Sequence, residues 1–267
     1  KITAKGCISL IPEIAVKKRE KSKKQQLLLT NKRVDWGFKQ SVQAAQLRIE
    51  KQMEQEHKQV LLVSSTLPQE GKSMTAVNLA LAFMQHEKKT VLIDGDLRKP
   101  SVAEMLGMEE QKGLAEYLKG NAKVKEVLQK KGDLTVIQGG KVHGNISSLM
   151  DESRMEELMT FLKSEFDYVI IDTPPAYLFS DAAILAGYAD RVLYVVRHDM
   201  AEIPQIEKGM ESFIQEDKLL GYLINRSQKG FASYGKYGYG KYGYGKYGKY
   251  QRYVDVKEDD MDTEDSL

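Results

Sequence analysis

Six short runs of apolar, largely β-branched residues punctuate the middle of the chain: Val60-Leu61-Leu62-Val63, Val91-Leu92-Ile93, Leu134-Thr135-Val136-Ile137, Tyr168-Val169-Ile170-Ile171, Val192 to Val196 and Leu219 to Ile224. None shows a clean polar alternation, so each reads as a strand buried on both faces. Helix-length segments separate them, at about 72–86, 101–107, 113–130, 151–165, 180–188 and 202–216. Such alternation predicts a parallel sheet, because parallel strands need crossovers and right-handed crossovers lay helices over both faces. The expected architecture is α/β and doubly wound, with ligands at the carboxyl ends of the strands.

Both flanks depart from this pattern. Residues 1–33 hold eight Lys and two Arg against two Glu, densest at Lys17-Lys18-Arg19 with Lys21, Lys23 and Lys24. This is a basic arm, suited either to a solvated linker or to anionic lipid, at about 1 kcal/mol per basic residue near the surface. From Asp35 to about His57 lies a Gln-rich, helix-compatible stretch whose apolar face, Val42, Ala45, Leu47 and Ile49, is imperfect. After Gly230 the composition changes: residues 234–248 are three copies of Tyr-Gly-Lys-Tyr-Gly, followed by Lys249, Tyr250, Arg252 and Tyr253 and an acidic end from Asp255 to Asp265. Glycine at this density costs ~1 kcal/mol per residue in a helix and offers no core side chain, so the tail is expected to be disordered. The predicted organisation is an arm over 1–34, a catalytic domain over 35–230 and a tail over 231–267.

Composition narrows the class. With 267 residues, 42% hydrophobic and 29% charged, and a formal charge of +2, the chain can bury a core and is not a disordered polypeptide throughout. A single cysteine, Cys7, excludes an internal disulfide framework and argues against a structural zinc site. No apolar run approaches the ~20 residues that span a bilayer. The sequence opens on Lys1 rather than Met, which fits an upstream continuation carrying a membrane helix. The four histidines, His57, His86, His143 and His198, show no metal-ligand spacing.

The chemistry concentrates at strand ends. Ser64-Ser65-Thr66-Leu67-Pro68-Gln69-Glu70-Gly71-Lys72-Ser73 follows the first central strand and opens a helix, the context a P-loop requires. Free backbone N–H groups and the positive helix end cradle phosphates there, Lys72 neutralises the β/γ oxygens and Ser73 offers its hydroxyl to Mg²⁺. Gly71 permits close backbone approach; Pro68, Glu70 and Met74 complete the expected nucleotide-binding segment. Thr66 stands where the pattern G-x-x-x-x-G-K-[ST] has glycine. Asp94 and Asp96 end the next strand, in Leu92-Ile93-Asp94-Gly95-Asp96-Leu97-Arg98, and Asp172 ends another, in Ile170-Ile171-Asp172-Thr173-Pro174-Pro175. A single aspartate there is commonly a helix cap. Three beside a Gly-Lys-Ser on one sheet edge point to a magnesium-nucleotide site.

These motifs resemble those of the bacterial tyrosine kinases (BY-kinases) of capsule and exopolysaccharide synthesis, over nearly the whole chain. Ser64 to Ser73 is similar to the family's Walker A segment, Val91 to Pro100 to its Walker A′, Val169 to Pro175 to its Walker B, and Ile8 to Ile14 to its juxtamembrane Ile-Pro-Glu stretch. Thr66 is not anomalous within that family. The resemblance implies ATP-dependent phosphorylation of protein tyrosines. Lys72 and Ser73 would bind phosphate and Mg²⁺, Asp96 and Asp172 would hold or orient the metal, and Asp94 would accept the phenolic proton. Arg98 or Lys99 would stabilise the transferred group. A carboxylate of pKa near 4 facing a phenol of pKa near 10 works mainly by positioning the hydroxyl.

The tail would supply the acceptors: Tyr234, Tyr237, Tyr239, Tyr242, Tyr244, Tyr247, Tyr250 and Tyr253, eight of the chain's fourteen tyrosines. At ~−1.5 to −2 charges per phosphate, eight additions contribute about −12 to −16. A flexible segment of ~20 residues spans about 25 Å, enough to reach its own site or a neighbour's. A base-stacking role for the Tyr/Gly/Lys repeats is the competing reading of the tail; the catalytic domain gives it a better use, and no nucleic-acid partner is expected. The resemblance further implies a transmembrane adaptor, fused or separate, neighbouring kinase subunits, a tyrosine phosphatase, and a place at the cytoplasmic face of the bacterial plasma membrane. Two stretches depart from the family. Its E-x-x-R-x-x-R ring-forming helix keeps only Arg48 within Phe38 to Glu50, and its Asn-Pro-x-Glu-Leu-Leu segment reads Asn145-Ile146-Ser147-Ser148-Leu149-Met150. The alternative class is a MinD/ParA-like ATPase switch. That group carries an extra lysine early in its P-loop where this chain has Leu67, and it leaves the tail unexplained.

Overall fold

The computed structural model describes residues 6–14, 27–141 and 153–227. Eight strands form one sheet: β1 (Cys7–Pro12), β2 (Val60–Ser65), β3 (Thr90–Asp94), β4 (Gln129–Lys131), β5 (Leu134–Ile137), β6 (Tyr168–Asp172), β7 (Arg191–Arg197) and β8 (Leu219–Ser227), in spatial order β1-β8-β7-β2-β6-β3-β5-β4. All neighbours pair in parallel except β4 with β5. The helices are α1 (Trp36–Gln55), α2 (Lys72–Gln85), α3 (Val102–Leu106), α4 (Leu114–Leu118), α5 (Val124–Val127), α6 (Ser153–Glu165), α7 (Asp181–Ala186) and α8 (Ile203–Gln215).

Period-two geometry sends alternate residues of each central strand to opposite faces. Leu61, Val63, Leu92, Ile170 and Leu193 meet α1, α2 and α3 through Ile49, Met53, Leu79, Phe83 and Val102. Val60, Leu62, Val91, Ile93, Val169 and Ile171 meet the other layer through Tyr117, Leu158, Leu162, Leu185 and Phe213. Both faces are apolar, which is why the strands read as continuous hydrophobic runs rather than alternating ones.

Two features correct the expected layout. The segment expected as one helix over 113–130 is two short helices, α4 and α5, followed by β4. Gly120 at φ 78° ends the first, and Gly132 at φ 59° turns β4 back against β5. The amino-terminal arm is not wholly a linker: Ile8 and Ile11 are buried and β1 lies beside β8 as an edge strand. Arg48 of α1 donates to the carbonyl of Ile8 on that strand. Further along, Asn78 of α2 accepts from the Leu29 N–H at 2.9 Å and donates to the Leu27 carbonyl at 2.9 Å, holding the end of the arm against the domain. Among the described residues, no helix is long and apolar enough to cross a membrane. The densest basic cluster, the stretch Asn145 to Met150, and all eight tail tyrosines lie outside the described residues.

Candidate functional site

Register builds the site. Asp94 and Asp172 are paired residues at the carboxyl ends of adjacent strands β3 and β6, and Val63 near the end of β2 is paired with Asp172. The P-loop leaves β2 at the same edge. Chain crowding there selects glycine at Gly95: its N–H donates to the Asp172 carbonyl at 2.8 Å, and a Cβ would stand 2.7 Å from that oxygen.

The turn from β2 into α2 is held by its own polar groups. Ser65 Oγ donates to the Leu67 carbonyl at 3.0 Å, and the Tyr194 hydroxyl donates to Thr66 Oγ1 at 3.2 Å. Thr66, at the position where the general pattern has glycine, is buried and serves as a pin to β7. Gly71 adopts φ 95°, a left-handed conformation that a side chain disfavours, and a Cβ there would meet Asn225 Nδ2 at 2.1 Å. Asn225, on β8, donates to the Glu70 carbonyl at 2.8 Å. Pro68 and Gln69 are exposed at the crest of the loop. Glu70, expected as a nucleotide contact, turns inward instead: its carboxylate is buried and accepts from the Leu67 N–H at 2.6 Å and the Arg197 N–H at 3.4 Å. Burial raises its pKa, and the surrounding hydrogen bonds oppose that rise.

Lys72 and the three aspartates come together as expected. The Lys72 ammonium donates to Asp96 Oδ2 at 2.9 Å and to Ser73 Oγ at 3.0 Å, and lies 3.9 Å from Asp172 Oδ1. Burial alone would lower its pKa; the charges of Asp172 and Asp96 outweigh that and raise it. Asp96 also accepts the Lys99 N–H at 3.1 Å. Asp94 uses Oδ2 to accept the N–H groups of Ser101 at 2.8 Å and Val102 at 3.0 Å, anchoring the start of α3. Its Oδ1, and both carboxylate oxygens of Asp172, are buried without a hydrogen-bond partner. Burial drives both aspartates above the usual carboxylate range; the charge of Asp172 adds to it at Asp94, while Lys72 opposes it at Asp172.

The two buried oxygens of Asp172, with the Asp96 carboxylate and the Ser73 hydroxyl, which both contact Lys72, offer oxygen donors of the kind a hard cation takes. The residues therefore fit Mg²⁺. Among the described residues no three acidic, histidine or cysteine side chains are arranged to hold a metal ion by themselves.

Arg98 was expected at the transferred group. It is instead committed laterally, donating from Nε and Nη2 to both oxygens of the fully buried Asp181 and lying 4.3 Å above the Phe179 ring. This clamp ties the loop carrying Asp96 to the segment after Asp172. Neither Asp181 nor Asn225 stands out in the sequence: the first reads as a helix-start acid, the second as a strand-end amide. Met74 lines a small apolar recess with Ile11, Phe38, Thr75, Leu223 and Asn225, next to the first turn of α2.

A glycine-strained loop between a central parallel strand and a helix, with a lysine and three aspartates at the same sheet edge, defines a P-loop nucleotide-binding protein. A family model described as ParA, NUBPL iron-transfer P-loop NTPase, matches residues 56–185. The tyrosine-protein kinase CpsD of Streptococcus agalactiae is 35% identical over 183 residues, covering 67% of this chain and 80% of its own. The tyrosine-protein kinase YwqD of Bacillus subtilis is 35% identical over 182 residues, covering 67% of this chain and 77% of its own. Among solved structures, the chimerical protein CapA2B2 superposes with a TM-score of 0.75 at 25% identity, over 84% of this chain and 96% of that one. The chain belongs to the bacterial tyrosine kinase family.

Proposed function

We propose that the protein transfers the γ-phosphoryl group of ATP to protein tyrosines, chiefly Tyr234, Tyr237, Tyr239, Tyr242, Tyr244, Tyr247, Tyr250 and Tyr253 of its own tail. The observation that carries this reading is the buried grouping beside the P-loop of Lys72 with Asp96 and Asp172, together with the oxygens of Asp94 and Asp172 that no hydrogen bond satisfies. Family membership supplies the reaction type, and the site supplies groups for it.

In this reading the P-loop amides and Lys72 hold the phosphate chain, and the ammonium exchanges its contact with Asp96 for phosphate oxygens. Ser73, Asp96 and Asp172 would hold Mg²⁺, which when bound neutralises charge developing between the β- and γ-phosphates. Asp94 is anchored through Oδ2, which leaves Oδ1 to orient the attacking phenol and hold its proton. A raised pKa brings Asp94 closer to the phenol's and makes it a better acceptor than an exposed carboxylate. Arg98 acts on the transfer through Asp181, by fixing the loop that carries Asp96.

The family setting extends the proposal to capsule or exopolysaccharide synthesis. It also gives partners: a transmembrane adaptor reached through the basic arm, neighbouring copies of the kinase, and a phosphatase that resets the tail, at the cytoplasmic face of the membrane. The test is intact-mass spectrometry after incubation with Mg-ATP, beside Lys72→Met. Phosphates mapped to Tyr234–Tyr253 and abolished by the substitution are expected. ATP hydrolysis with no mass gain, even with an adaptor segment supplied, would favour the ATPase switch.

A further inference from the structure

Glu70 is an ionisable group of the P-loop for which the proposed transfer has no task. Its position is electrostatically adverse: the loop exists to hold a polyanion, and a carboxylate inside it repels phosphate. It also occupies the Leu67 N–H, one of the loop's own amides. Yet the side chain is wholly buried, and the contacts of Glu70 close the loop on itself and tie it to two strands of the sheet. Oε2 closes the turn on Leu67, Oε1 accepts the Arg197 N–H at the end of β7, and its carbonyl accepts the Asn225 amide from β8. A further tie runs from Arg197 Nη1 to the Gln69 carbonyl at 3.4 Å.

We infer that Glu70 is a positioning residue: its buried carboxylate holds the P-loop in its anion-binding shape before nucleotide arrives, and its charge weakens the loop's grip on the product nucleotide. The inference rests on the nucleotide-binding reading above and deepens it. Preorganisation lowers the ordering cost of binding, and the repulsion acts on the bound phosphates once the loop is formed. The two effects have opposite signs, so substitutions can separate them.

Glu70→Gln removes the charge and keeps an oxygen able to accept from Leu67, giving up only the longer, 3.4 Å contact with Arg197, whereas Glu70→Ala removes the charge and both contacts. Calorimetric titration of the full chain with Mg-ADP is expected to show Glu70→Gln binding about threefold to tenfold tighter than the unsubstituted protein. Glu70→Ala is expected to bind about tenfold more weakly as the loop loosens. In steady-state tail phosphorylation, Glu70→Gln lowers KM for ATP and kcat together, and Glu70→Ala raises KM. A residue that merely stabilises the fold moves both variants in one direction. Glu70→Gln that binds Mg-ADP no tighter than the unsubstituted chain overturns the inference, whatever the fate of Glu70→Ala. Failure of the unsubstituted chain to bind Mg-ADP at all overturns the nucleotide reading with it. Normal tail phosphorylation with unchanged Glu70 variants sinks only the role given to Glu70.

Discussion

Two lysines at opposite ends of α2 each sit between two carboxylates, and only one of them belongs to the site. Lys72 opens the helix, 2.9 Å from Asp96 and 3.9 Å from Asp172, with its side chain 11% exposed. Lys88 follows the helix end, 3.0 Å from Glu50 and 2.9 Å from Glu54, with its side chain 32% exposed. The helix dipole favours a cation at Lys88 and opposes one at Lys72. Around Lys88, water supplies whatever the protein leaves unpaired. Around Lys72, Asp172 has an ion pair at 3.9 Å but no hydrogen bond, and Asp94 Oδ1 has none either, so these buried oxygens are left with acceptor capacity that neither protein nor bulk water fills. The same residue types thus make a structural clasp in one place and a ligand-hungry centre in the other, and burial decides between them.

The largest test of that contrast is to remove each ammonium. Lys72→Met is expected to reduce tail phosphorylation at least ~100-fold, the scale seen when one preorganised charge-stabilising donor is lost. It also leaves Asp96 and Asp172 without their cation, so the nucleotide-free protein should lose about 3 kcal/mol in chemical denaturation. Undiminished phosphotransfer would remove Lys72 from the centre. Asp94→Asn comes next and separates function from stability. The carboxamide oxygen can still accept from Ser101 and Val102, while a buried charge disappears. The sign follows from the raised pKa: a carboxyl whose folded pKa lies above its unfolded value stabilises the fold in its neutral form, and loses that contribution as pH rises through the folded value. The neutral substitute should raise Tm by about 2–4 °C, as ~1 kcal/mol does at this size, while phosphorylation falls about 100-fold. A drop in Tm would mean that the anion is well accommodated.

What the sequence makes legible follows the same division. The central strands and the P-loop are local patterns, and parallel pairing then brings Asp94 and Asp172 side by side, so Lys72, Ser73, Asp96 and Asp172 could be grouped by topology alone. The inward turn of the Glu70 carboxylate is not legible, because nothing local separates an outward from an inward carboxylate; its direction is set by the Leu67 and Arg197 amides, the second of them over a hundred residues away. The Arg98–Asp181 clamp and the Asn225 pin likewise depend on contacts across the chain. β4 was hidden in a helix-length stretch because three residues carry too little periodicity, and β1 because a strand at a sheet edge looks like any short apolar run in a basic arm.

Gly71 sharpens the comparison at intermediate scale, since it sets how tightly the loop wraps. Gly71→Ala faces a left-handed backbone, at about 1–2 kcal/mol, and a Cβ that would overlap Asn225. Asn225→Ala alone forfeits its bond to the Glu70 carbonyl, about 1 kcal/mol, but it also vacates the space the new methyl needs. The pair should therefore be less destabilised than the sum of the single variants, a coupling read from a double-mutant cycle of urea melts. Strict additivity would show that backbone strain alone selects this glycine.

The smallest effect belongs to the outer lysine. Lys88→Ala breaks two ion pairs, as Lys72→Met does, and the hydrogen bonds that Lys88 donates to Glu54 and Glu50 raise its pKa. That shift overstates the stability at stake, because water and salt screen a side chain one-third exposed. The expected loss is about 0.5 kcal/mol, shrinking further as salt is added, with tail phosphorylation unchanged. Glu50 is more buried than Glu54 and holds Gln46 at 2.5 Å, so it keeps a partner when the lysine is gone. A loss near that of Lys72→Met, insensitive to salt, would show that the Lys88 cluster is as dry as the site, and burial could no longer be the property that distinguishes the two ends of α2.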